Sequence, residues 1–264
     1  MESKLVFLDI DGTLVDNLEY IHPSTEKAVE LARNNGHRLF ISSGRQRSFM
    51  PNCLAPYGFI DGVFAAGASV ICGGKRIYDR VYTPDDYDRI VQTLIRHRAL
   101  IVAETFESDF VLGDTYTEAF RDMKEWVESL GGGFIEQAPK GWDEVSKFIY
   151  KDADCTPAEL QSELSQVCNI VPLSYSSTSV GGEIMIPGVN KSVGISKVLE
   201  YYGADIKDTI AVGDGGNDIE MLEFCGVGIA MGNASDSVKA HADMVTDRIE
   251  NDGLYKAFEA CGLI

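Results

Sequence analysis

Short apolar segments alternate with amphipathic helices near both ends of the 264-residue chain, and this alternation narrows the possible folds more than any other feature. Residues Leu5 to Leu8 form a continuous apolar run, which is typical of a strand buried on both faces in a parallel sheet. The pattern then predicts a helix from Pro23 to Asn35 and a second strand from Arg38 to Ser42. Strand, helix and strand in this order predict a right-handed βαβ unit.

The same alternation returns late in the chain, where Thr209 to Val212 and Val227 to Met231 are predicted strands. The segment between these regions mixes helices and strands, and it contains no repeat, low-complexity tract or long like-charge run that would mark a linker. We therefore expect an α/β protein with a doubly wound, Rossmann-like parallel sheet built from residues 1–82 and 187–264. An α+β domain is expected as an insertion at residues 83–186.

The composition limits the partners and the location of such a protein. Acidic residues number 41 against 23 basic ones, and the formal charge of −18 argues against nucleic acid or an anionic membrane as a partner. The six cysteines include no Cys-x-x-Cys pair, which argues against a zinc or redox motif. No apolar stretch has the length of a membrane span or a signal-peptide core, so we expect a cytoplasmic protein. The oligomeric state does not follow from the sequence.

Two carboxylates follow the first predicted strand, in the sequence Asp9-Ile10-Asp11-Gly12-Thr13. Residues two apart lie on the same side of an extended chain, so the side chains of Asp9 and Asp11 can converge where the strand ends. A carboxylate can attack phosphorus directly, and a second acid nearby can protonate the leaving oxygen and later activate water. The spacing therefore predicts Asp9 as a nucleophile and Asp11 as a general acid and base for phosphoryl transfer.

A third carboxylate is expected, because two acids beside a phosphate dianion repel it unless a cation such as Mg²⁺ is bound. Asp214 supplies this carboxylate in the sequence Gly213-Asp214-Gly215-Gly216-Asn217-Asp218, directly after the predicted strand that ends at Val212. Ligands of open α/β sheets bind beyond the carboxyl ends of the strands, which is where these acids fall. The sequence thus predicts a magnesium site at this edge of the sheet.

Two further segments offer contacts for a phosphate group. Ser43 follows the second predicted strand and offers a hydroxyl, and the backbone N–H groups around Gly44 lead toward a helix. The next residue, Arg45, is either a pocket cation or a solvated surface charge. Lys191 begins a predicted helix that ends at Tyr202, so its ammonium group can reach the same edge of the sheet and neutralise the transferred group.

In this order, the four segments resemble the signature of the haloacid dehalogenase (HAD) superfamily, which is Asp-x-Asp-Gly-Thr, a serine or threonine after the second strand, a lysine, and Gly-Asp-x-x-Asn-Asp. The resemblance covers essentially the whole chain. The inserted segment is similar to the C2B cap of the Cof-type subfamily, which is subclass IIB. Cof-type proteins tend to carry Asn-Gly-Ala after the third strand, whereas this chain has Ala66-Gly67-Ala68, so a pocket role of that asparagine does not carry over.

The resemblance implies a role for each of these positions. The implied Mg²⁺ ligands are Asp9, the backbone carbonyl of Asp11, and Asp214. The implied phosphate contacts come from Ser43, Gly44, Lys191 and Asn217, and Asp218 is implied to support Lys191 and the metal ligands.

We therefore expect a Mg²⁺-dependent phosphatase that hydrolyses a small phosphorylated metabolite, with sugar phosphates as the leading class, through a phosphorylated Asp9. A phosphomutase uses the same aspartyl-phosphate chemistry and stays an alternative, because the sequence separates the two activities poorly. A receiver-type signalling module also combines acids, Mg²⁺ and a lysine, but its phosphorylated aspartate follows the third strand. The Asp-x-Asp arrangement and the inserted segment argue against a receiver.

Overall fold

The computed structural model describes residues 2–16, 20–113, 117–129, 131–174 and 180–264, which group into two compact units. Unit 1 comprises Met1–Arg45, Met50–Tyr78 and Asn190–Ile264, and unit 2 comprises Gln46–Phe49 and Asp79–Val189. No sequence pattern pointed to the grouping of Gln46–Phe49 with unit 2. The division into domains at residues 83 and 186 stays a prediction. In the part of the chain that is described, no helix is long and apolar enough to cross a membrane.

The elements below carry one numbering in chain order. The strands of the described residues are β1 (Leu5–Leu8), β2 (Arg38–Ser42), β3 (Gly62–Phe64), β4 (Ser69–Cys72), β5 (Lys75–Asp79), β6 (Leu100–Thr105), β7 (Asp109–Leu112), β8 (Gly133–Ile135), β9 (Val145–Lys151), β10 (Asn169–Ser174), β11 (Val180–Met185), β12 (Thr209–Gly213), β13 (Val227–Ala230) and β14 (Met244–Val245). The helices are α1 (Pro23–Asn34), α2 (Pro84–Arg96), α3 (Glu118–Ser129), α4 (Pro157–Leu164), α5 (Lys191–Tyr202), α6 (Ile219–Phe224), α7 (Asp236–Lys239) and α8 (Gly253–Ala260).

The sheet of unit 1 has the strand order β14-β13-β12-β1-β2-β3-β4-β5. Strand β1 lies at its centre and pairs in parallel with both β12 and β2, so that Leu5 is opposite Thr209 on one side and Arg38 on the other. The chain order runs outward from β1 in both directions, which is the strand-order reversal of a doubly wound fold. The predicted α/β class is therefore confirmed, with an antiparallel β3–β4 pair added toward one edge.

Apolar side chains on both faces explain why β1 occupies the centre of this sheet. Val6, Phe7 and Leu8 are fully buried, as the continuous apolar run predicted. The Phe7 ring stacks on Phe40 of β2 with 5.2 Å between the centroids. Helix α1 begins at Pro23, whose missing N–H costs nothing at a first helical position, and it packs beside α8. Pairing with β12 and β2 on its two sides fixes the carboxyl end of β1, where the first acids follow.

The sheet of unit 2 has the strand order β10-β11-β9-β6-β7-β8, and its strand pairs are antiparallel except for β7 with β8. Side chains from α2 and α4 cover one face, where Tyr87 and Leu160 pack with Phe148 of β9. Phe120 and Val127 of α3 cover part of the other face. The mixed strands and helices confirm the α+β character that the sequence predicted for this segment.

Candidate active site

The two central strands of the unit 1 sheet, β1 and β12, bring predicted acids together at their carboxyl ends. Leu8 of β1 is opposite Val212 of β12, and the Asp9 N–H donates to the Val212 carbonyl at 3.0 Å. Because the strands are parallel, the residues that follow each of them, Asp9 and Asp214, leave the sheet side by side. The carboxylate oxygens of Asp9, Asp214 and Asp218 lie within 4.8 Å of one another. The acids that meet here follow β1 and β12, and Asp11, which the sequence led us to expect beside Asp9, is not in this group.

Lys191 places a buried positive charge against this cluster. Its side chain is fully buried, and Nζ donates to Asp9 Oδ1 at 2.6 Å and to Asp218 Oδ1. The lysine is the first residue of α5, whose N-cap Asn190 accepts a hydrogen bond from the Val193 N–H at 3.1 Å. The cap fixes the start of the helix and, with it, the direction of the lysine.

Asp218 acts as the structural support of the cluster. Its Oδ2 accepts hydrogen bonds from the Asp214 N–H at 2.9 Å and the Gly215 N–H at 2.8 Å, while Oδ1 accepts from Lys191. Both oxygens are thus engaged by donors, whereas Asp9 is engaged by Lys191 through one oxygen. This bonding pattern fits the predicted supporting position for Asp218 behind Asp214 and Lys191.

Burial and crowding of acids shift the pKa values of the cluster. Burial, together with the nearby Asp218, raises the pKa of Asp9 although Lys191 opposes the shift. Burial also raises the pKa of Asp214 to about 6, again with a contribution from Asp218. Burial disfavours the charge of Lys191, but the carboxylates of Asp218 and Asp9 outweigh this effect and raise the lysine pKa. The carboxylates therefore repel one another more strongly than Lys191 can offset, and ionisation of all three would need a further cation.

The excess charge and the donor set fit a hard divalent cation. Carboxylate oxygens are the ligands that Mg²⁺ prefers, and Asp9 and Asp214 present them within one small volume. Two donors fix the Asp214 carboxylate, since Thr13 Oγ1 donates to its Oδ1 at 3.1 Å and Asn233 Nδ2 to its Oδ2 at 3.0 Å. Gly12 allows the close approach, because a Cβ atom there would lie 2.2 Å from Asp214 Oδ2.

Asn233 and Thr13 are contacts that the sequence reasoning did not assign. Asn233 Nδ2 also donates to the Gly12 carbonyl at 2.9 Å, so one amide links the loops after β1 and β12. Thr13 is the last residue of the Asp-x-Asp-Gly-Thr segment, which was a usable signal for a role beside the acids. Asn233 lies after β13, another strand of the parallel set, and this position was the signal available for it.

The structure pairs Asp11 with Arg45. Arg45 Nε donates to Asp11 Oδ2 at 2.8 Å and Nη2 donates to Oδ1 at 2.7 Å, which is the bidentate arrangement of a guanidinium with a carboxylate. The Asp11 side chain is about half exposed. The sequence left open whether Arg45 is a pocket cation or a solvated surface charge. Its contact with a predicted catalytic acid favours the pocket cation.

Ser43 and Gly44 lie directly after β2, which ends at the same edge as its parallel neighbour β1. Ser43 is buried, its N–H donates to the Val63 carbonyl at 2.9 Å, and its Oγ accepts from the Arg45 N–H at 3.1 Å. Gly44 borders Asn217, whose Nδ2 would lie 3.0 Å from a Cβ atom at that position. Two of the predicted phosphate contacts, Gly44 and Asn217, are therefore neighbours.

The turn after β3 carries backbone strain next to Ser43. Ala65 and Ala66 have φ angles of 48° and 53°, in the left-handed region that disfavours a Cβ atom. The Ala66 N–H donates to the Ser43 carbonyl at 2.9 Å. Gly67, at φ 105°, lies so close to α5 that a Cβ atom would fall 1.9 Å from the Asn190 carbonyl oxygen. The turn thus connects the Ser43 segment to the first turn of the lysine helix.

Comparison with known proteins agrees with this geometry. A family model described as haloacid dehalogenase-like hydrolase matches residues 6–258. The chain is 30% identical over 270 residues to YkrA of Bacillus subtilis (strain 168), named as a phosphatase, with all of both chains covered. It is also 30% identical over 274 residues to YitU of the same organism, named a 5-amino-6-(5-phospho-D-ribitylamino)uracil phosphatase, with 96% of each chain covered. The solved structure of BT4131, described as a HAD subclass IIB sugar phosphatase, superposes with a TM-score of 0.83 at 26% identity and covers 99% of this chain and 100% of its own.

The chain therefore belongs to the haloacid dehalogenase-like hydrolases. Within that family it is a Cof-type, subclass IIB protein and a phosphoric monoester hydrolase, so the predicted family, fold and enzyme class are confirmed.

Proposed function

We propose that this phosphatase hydrolyses small sugar or sugar-alcohol phosphates with Mg²⁺ through a phosphorylated Asp9. The observation that carries the proposal is the position of the Asp9 carboxylate. Asp9 directly follows the central strand β1, its carboxylate lies beside that of Asp214, and it accepts a hydrogen bond from buried Lys191 at 2.6 Å. A carboxylate that is oriented by a fixed cation is prepared for attack on phosphorus. The substrate class is supported by the names of two relatives, since YitU is named a 5-amino-6-(5-phospho-D-ribitylamino)uracil phosphatase and BT4131 a sugar phosphatase.

The first half-reaction is an in-line attack by an Asp9 carboxylate oxygen on phosphorus. Lys191 holds Asp9 and offers positive charge to the phosphoryl oxygens, while the Ser43 hydroxyl and the Gly44 N–H bind that group. Asp11 gives a proton to the leaving oxygen, for which its pairing with Arg45 must first loosen. The product alcohol then leaves, and Asp9 carries an acyl phosphate.

In the second half-reaction Asp11, now ionised, takes a proton from a water molecule that attacks the acyl phosphate. Phosphate leaves and Asp9 returns to its starting state. The residues that would hold Mg²⁺ are Asp9, Asp214 and the backbone carbonyl of Asp11. When bound, the ion supplies screening between the acids and the phosphate dianion.

We further propose that residues 83–186 form a cap domain that selects the leaving group, and that the enzyme acts in the cytoplasm on small molecules rather than on nucleic acids. The formal charge of −18 supports the second point. All six cysteines are free, which supports a reducing compartment.

The test is phosphate release from a panel of sugar and sugar-alcohol phosphates by the wild type and Asp9→Asn. We expect Mg²⁺-dependent release that chelator abolishes, and a loss of at least about a thousandfold in the variant because the amide cannot form an acyl phosphate. Asp85→Asn, at an exposed position in the first turn of α2, is the matched control and should retain activity. Transfer of the phosphoryl group between sugars without release would identify a mutase, and full activity of Asp9→Asn would refute the nucleophile.

A further inference from the structure

A cavity in unit 1 lies at the amino ends of the sheet strands, whereas the acids lie at their carboxyl ends. Its volume is about 450 Å³, within the range of small-molecule sites. Its lining includes Arg33, His37, Arg38, Ile60, Asp61 and Tyr202. Because Arg38 is the first residue of β2 and Asp61 immediately precedes β3, the cavity faces the amino ends of strands whose carboxyl ends lead to the catalytic cluster.

Two guanidinium groups at this cavity lie over the faces of aromatic rings. Arg38 lies over the Tyr202 ring at 4.4 Å from its centroid, and Arg33 lies over the Phe59 ring at 4.5 Å. Arg33 also donates through Nη1 to the Tyr57 carbonyl. Stacking fixes the plane of a guanidinium while leaving N–H groups at its edge, and such a planar fork matches a carboxylate or phosphate.

His37 adds a buried donor that has no acceptor. The residue is 5% exposed, and its Nδ1 accepts a hydrogen bond from the Lys4 N–H at 3.1 Å. Acceptance at Nδ1 places the proton of the neutral ring on Nε2. Among the described residues Nε2 has no hydrogen-bond partner, although buried polar groups are normally satisfied. Nε2 itself is closed to solvent, so a ligand in the cavity would accept its hydrogen bond only after a small rotation of the His37 ring.

The one acid in the wall does not remove the positive character of the site. Asp61 accepts hydrogen bonds from the N–H groups of Gly73 at 2.8 Å and Gly74 at 2.9 Å, and from the Tyr202 hydroxyl at 3.2 Å. Its carboxylate is thus occupied in holding the ring on which Arg38 stacks. Two guanidinium groups and one carboxylate leave a single net positive charge, within a chain whose formal charge is −18.

We propose that this cavity binds a small organic monoanion, a carboxylate with an apolar body. The single net charge matches a monocarboxylate better than a phosphate dianion, and the guanidinium edges with the His37 N–H supply the donors that a carboxylate accepts. The side chain of Ile60, which is 56% exposed, and the Tyr202 ring offer apolar surface to the body of the ligand. The site is separate from the catalytic cluster and does not depend on the proposed phosphatase chemistry.

The test uses benzoate as the probe and benzamide as its neutral isostere, in calorimetric titrations of the full chain without phosphate. Benzoate should bind saturably and benzamide at least about tenfold more weakly, since it lacks the charge. Arg38→Met should weaken benzoate binding by about tenfold and leave the hydrolysis of phosphate esters unchanged. Arg98→Met is the matched control, because Arg98 is 83% exposed and lies in unit 2, and it should bind benzoate as the wild type does.

A measurement on the wild type keeps the proposal testable if Arg38→Met does not fold. Of the four histidines, only His37 should shift its ring ¹⁵N resonances when benzoate is added. No saturable benzoate binding, equal binding of benzamide, or a histidine spectrum in which His37 does not move would overturn the proposal. Binding of inorganic phosphate that requires Arg38, without binding of benzoate, would also overturn the choice of a carboxylate.

Discussion

At the scale of the residue, Lys191 and Asp218 show how a pair of buried charges organises the proposed catalytic cluster. The lysine is fully buried, and both of its carboxylate partners are held by backbone groups or by the lysine itself. Buried charges of this kind are costly unless they are paired, so the pair is better explained by chemistry than by stability. Asp9, Asp214 and Lys191 could be found from the sequence because each directly follows a strand or begins a helix. The role of Asp218 came from the resemblance of its segment to the family signature.

Arg45 and Asn233 could be predicted only in part, because their roles depend on loop conformation. Arg45 reaches Asp11 across 34 positions of the sequence, and Asn233 reaches Gly12 across 221. The spacing of apolar residues does not predict such contacts, because it indicates which face of a helix or strand is buried and not which loops touch. Their residue types, a cation and an amide after parallel strands, were the available clue.

A prediction at this scale concerns the strained turn next to Ser43. Ala66→Gly removes a Cβ atom from a left-handed residue, and relief of this backbone strain should stabilise the folded state by about 1 kcal/mol. Because glycine also makes the unfolded chain more flexible, the two effects should cancel and leave the free energy of unfolding nearly unchanged. Ala68→Gly, at φ −73°, removes the same atoms from an ordinary conformation and should lower the free energy of unfolding by about 1 kcal/mol. Thermal unfolding followed by circular dichroism compares the two. An Ala66→Gly loss as large as that of Ala68→Gly would show that the strain is not significant.

At the scale of the element, the sequence predicted the strands that run through the centre of the unit 1 sheet and missed those at its edge. β1 and β2 have the predicted bounds, because each is a continuous apolar run closed by polar residues. The apolar pattern did not predict β3, β4 and β5, since β3 has three residues and β5 is partly exposed with charged ends. Only the family resemblance placed a third strand before Ala66. Short edge strands take their conformation from pairing with neighbours, which a single sequence does not display.

One face of the unit 2 sheet carries a buried charge cluster that invites a prediction. Lys147 of β9 lies 3.6 Å from Glu104 of β6 and contacts Glu183 of β11, and both Lys147 and Glu104 are nearly inaccessible. Burial raises the pKa of Glu104 to about 8 although Lys147 opposes the shift. Removal of the lysine would leave these carboxylates without their cation.

We expect Lys147→Met to lower the free energy of unfolding of unit 2 by about 3–5 kcal/mol near pH 8. The loss should be smaller near pH 5, because a carboxyl group whose folded-state pKa is raised stabilises the fold at low pH and loses that contribution as pH rises through the folded-state pKa. Both tryptophans, Trp126 and Trp142, lie in unit 2, so fluorescence in urea reports this unit. Lys124→Met, which breaks an exposed helix pair at 3.7 Å, is the control and should cost no more than about 0.5 kcal/mol. A Lys147→Met loss that is independent of pH would contradict the electrostatic explanation.

At the scale of the whole molecule, the order of the elements was predictable because buried parallel strands and their connecting helices leave a strong apolar pattern. The proximity of Asp9 and Asp214 could be predicted in the same way, since they follow parallel strands whose carboxyl ends lie on the same side of the sheet. The grouping of Gln46–Phe49 with unit 2 was not predictable. It rests on individual polar contacts, among them Gln46 Nε2 donating to Ser146 Oγ at 2.6 Å and Ser48 Oγ donating to Asp109 Oδ2 at 2.5 Å.

Removal of Mg²⁺ should have an effect on stability that depends on pH. The raised pKa values of Asp9 and Asp214, the latter about 6, mean that the metal-free fold loses stability as pH rises from about 4 through that value and beyond. Mg²⁺ binds the ionised acids, so its stabilising effect should grow over the same range. The rise in melting temperature on adding Mg²⁺ should therefore be larger near pH 7.5 than near pH 5. Asp214→Asn should reduce this rise at both pH values, whereas a rise that shrinks with pH would contradict the account.

The central claim is that the phosphoryl group is carried by Asp9, and chemical trapping tests it most directly. The wild type is quenched during turnover of a sugar phosphate, and borohydride then reduces any acyl phosphate to an alcohol, which converts the carrier aspartate into homoserine. Mass spectrometry of the peptide that contains both Asp9 and Asp11 identifies the reduced position. The account predicts homoserine at position 9, only when substrate and Mg²⁺ are both present; reduction at Asp11 or at another acid, or none during rapid turnover, would contradict it.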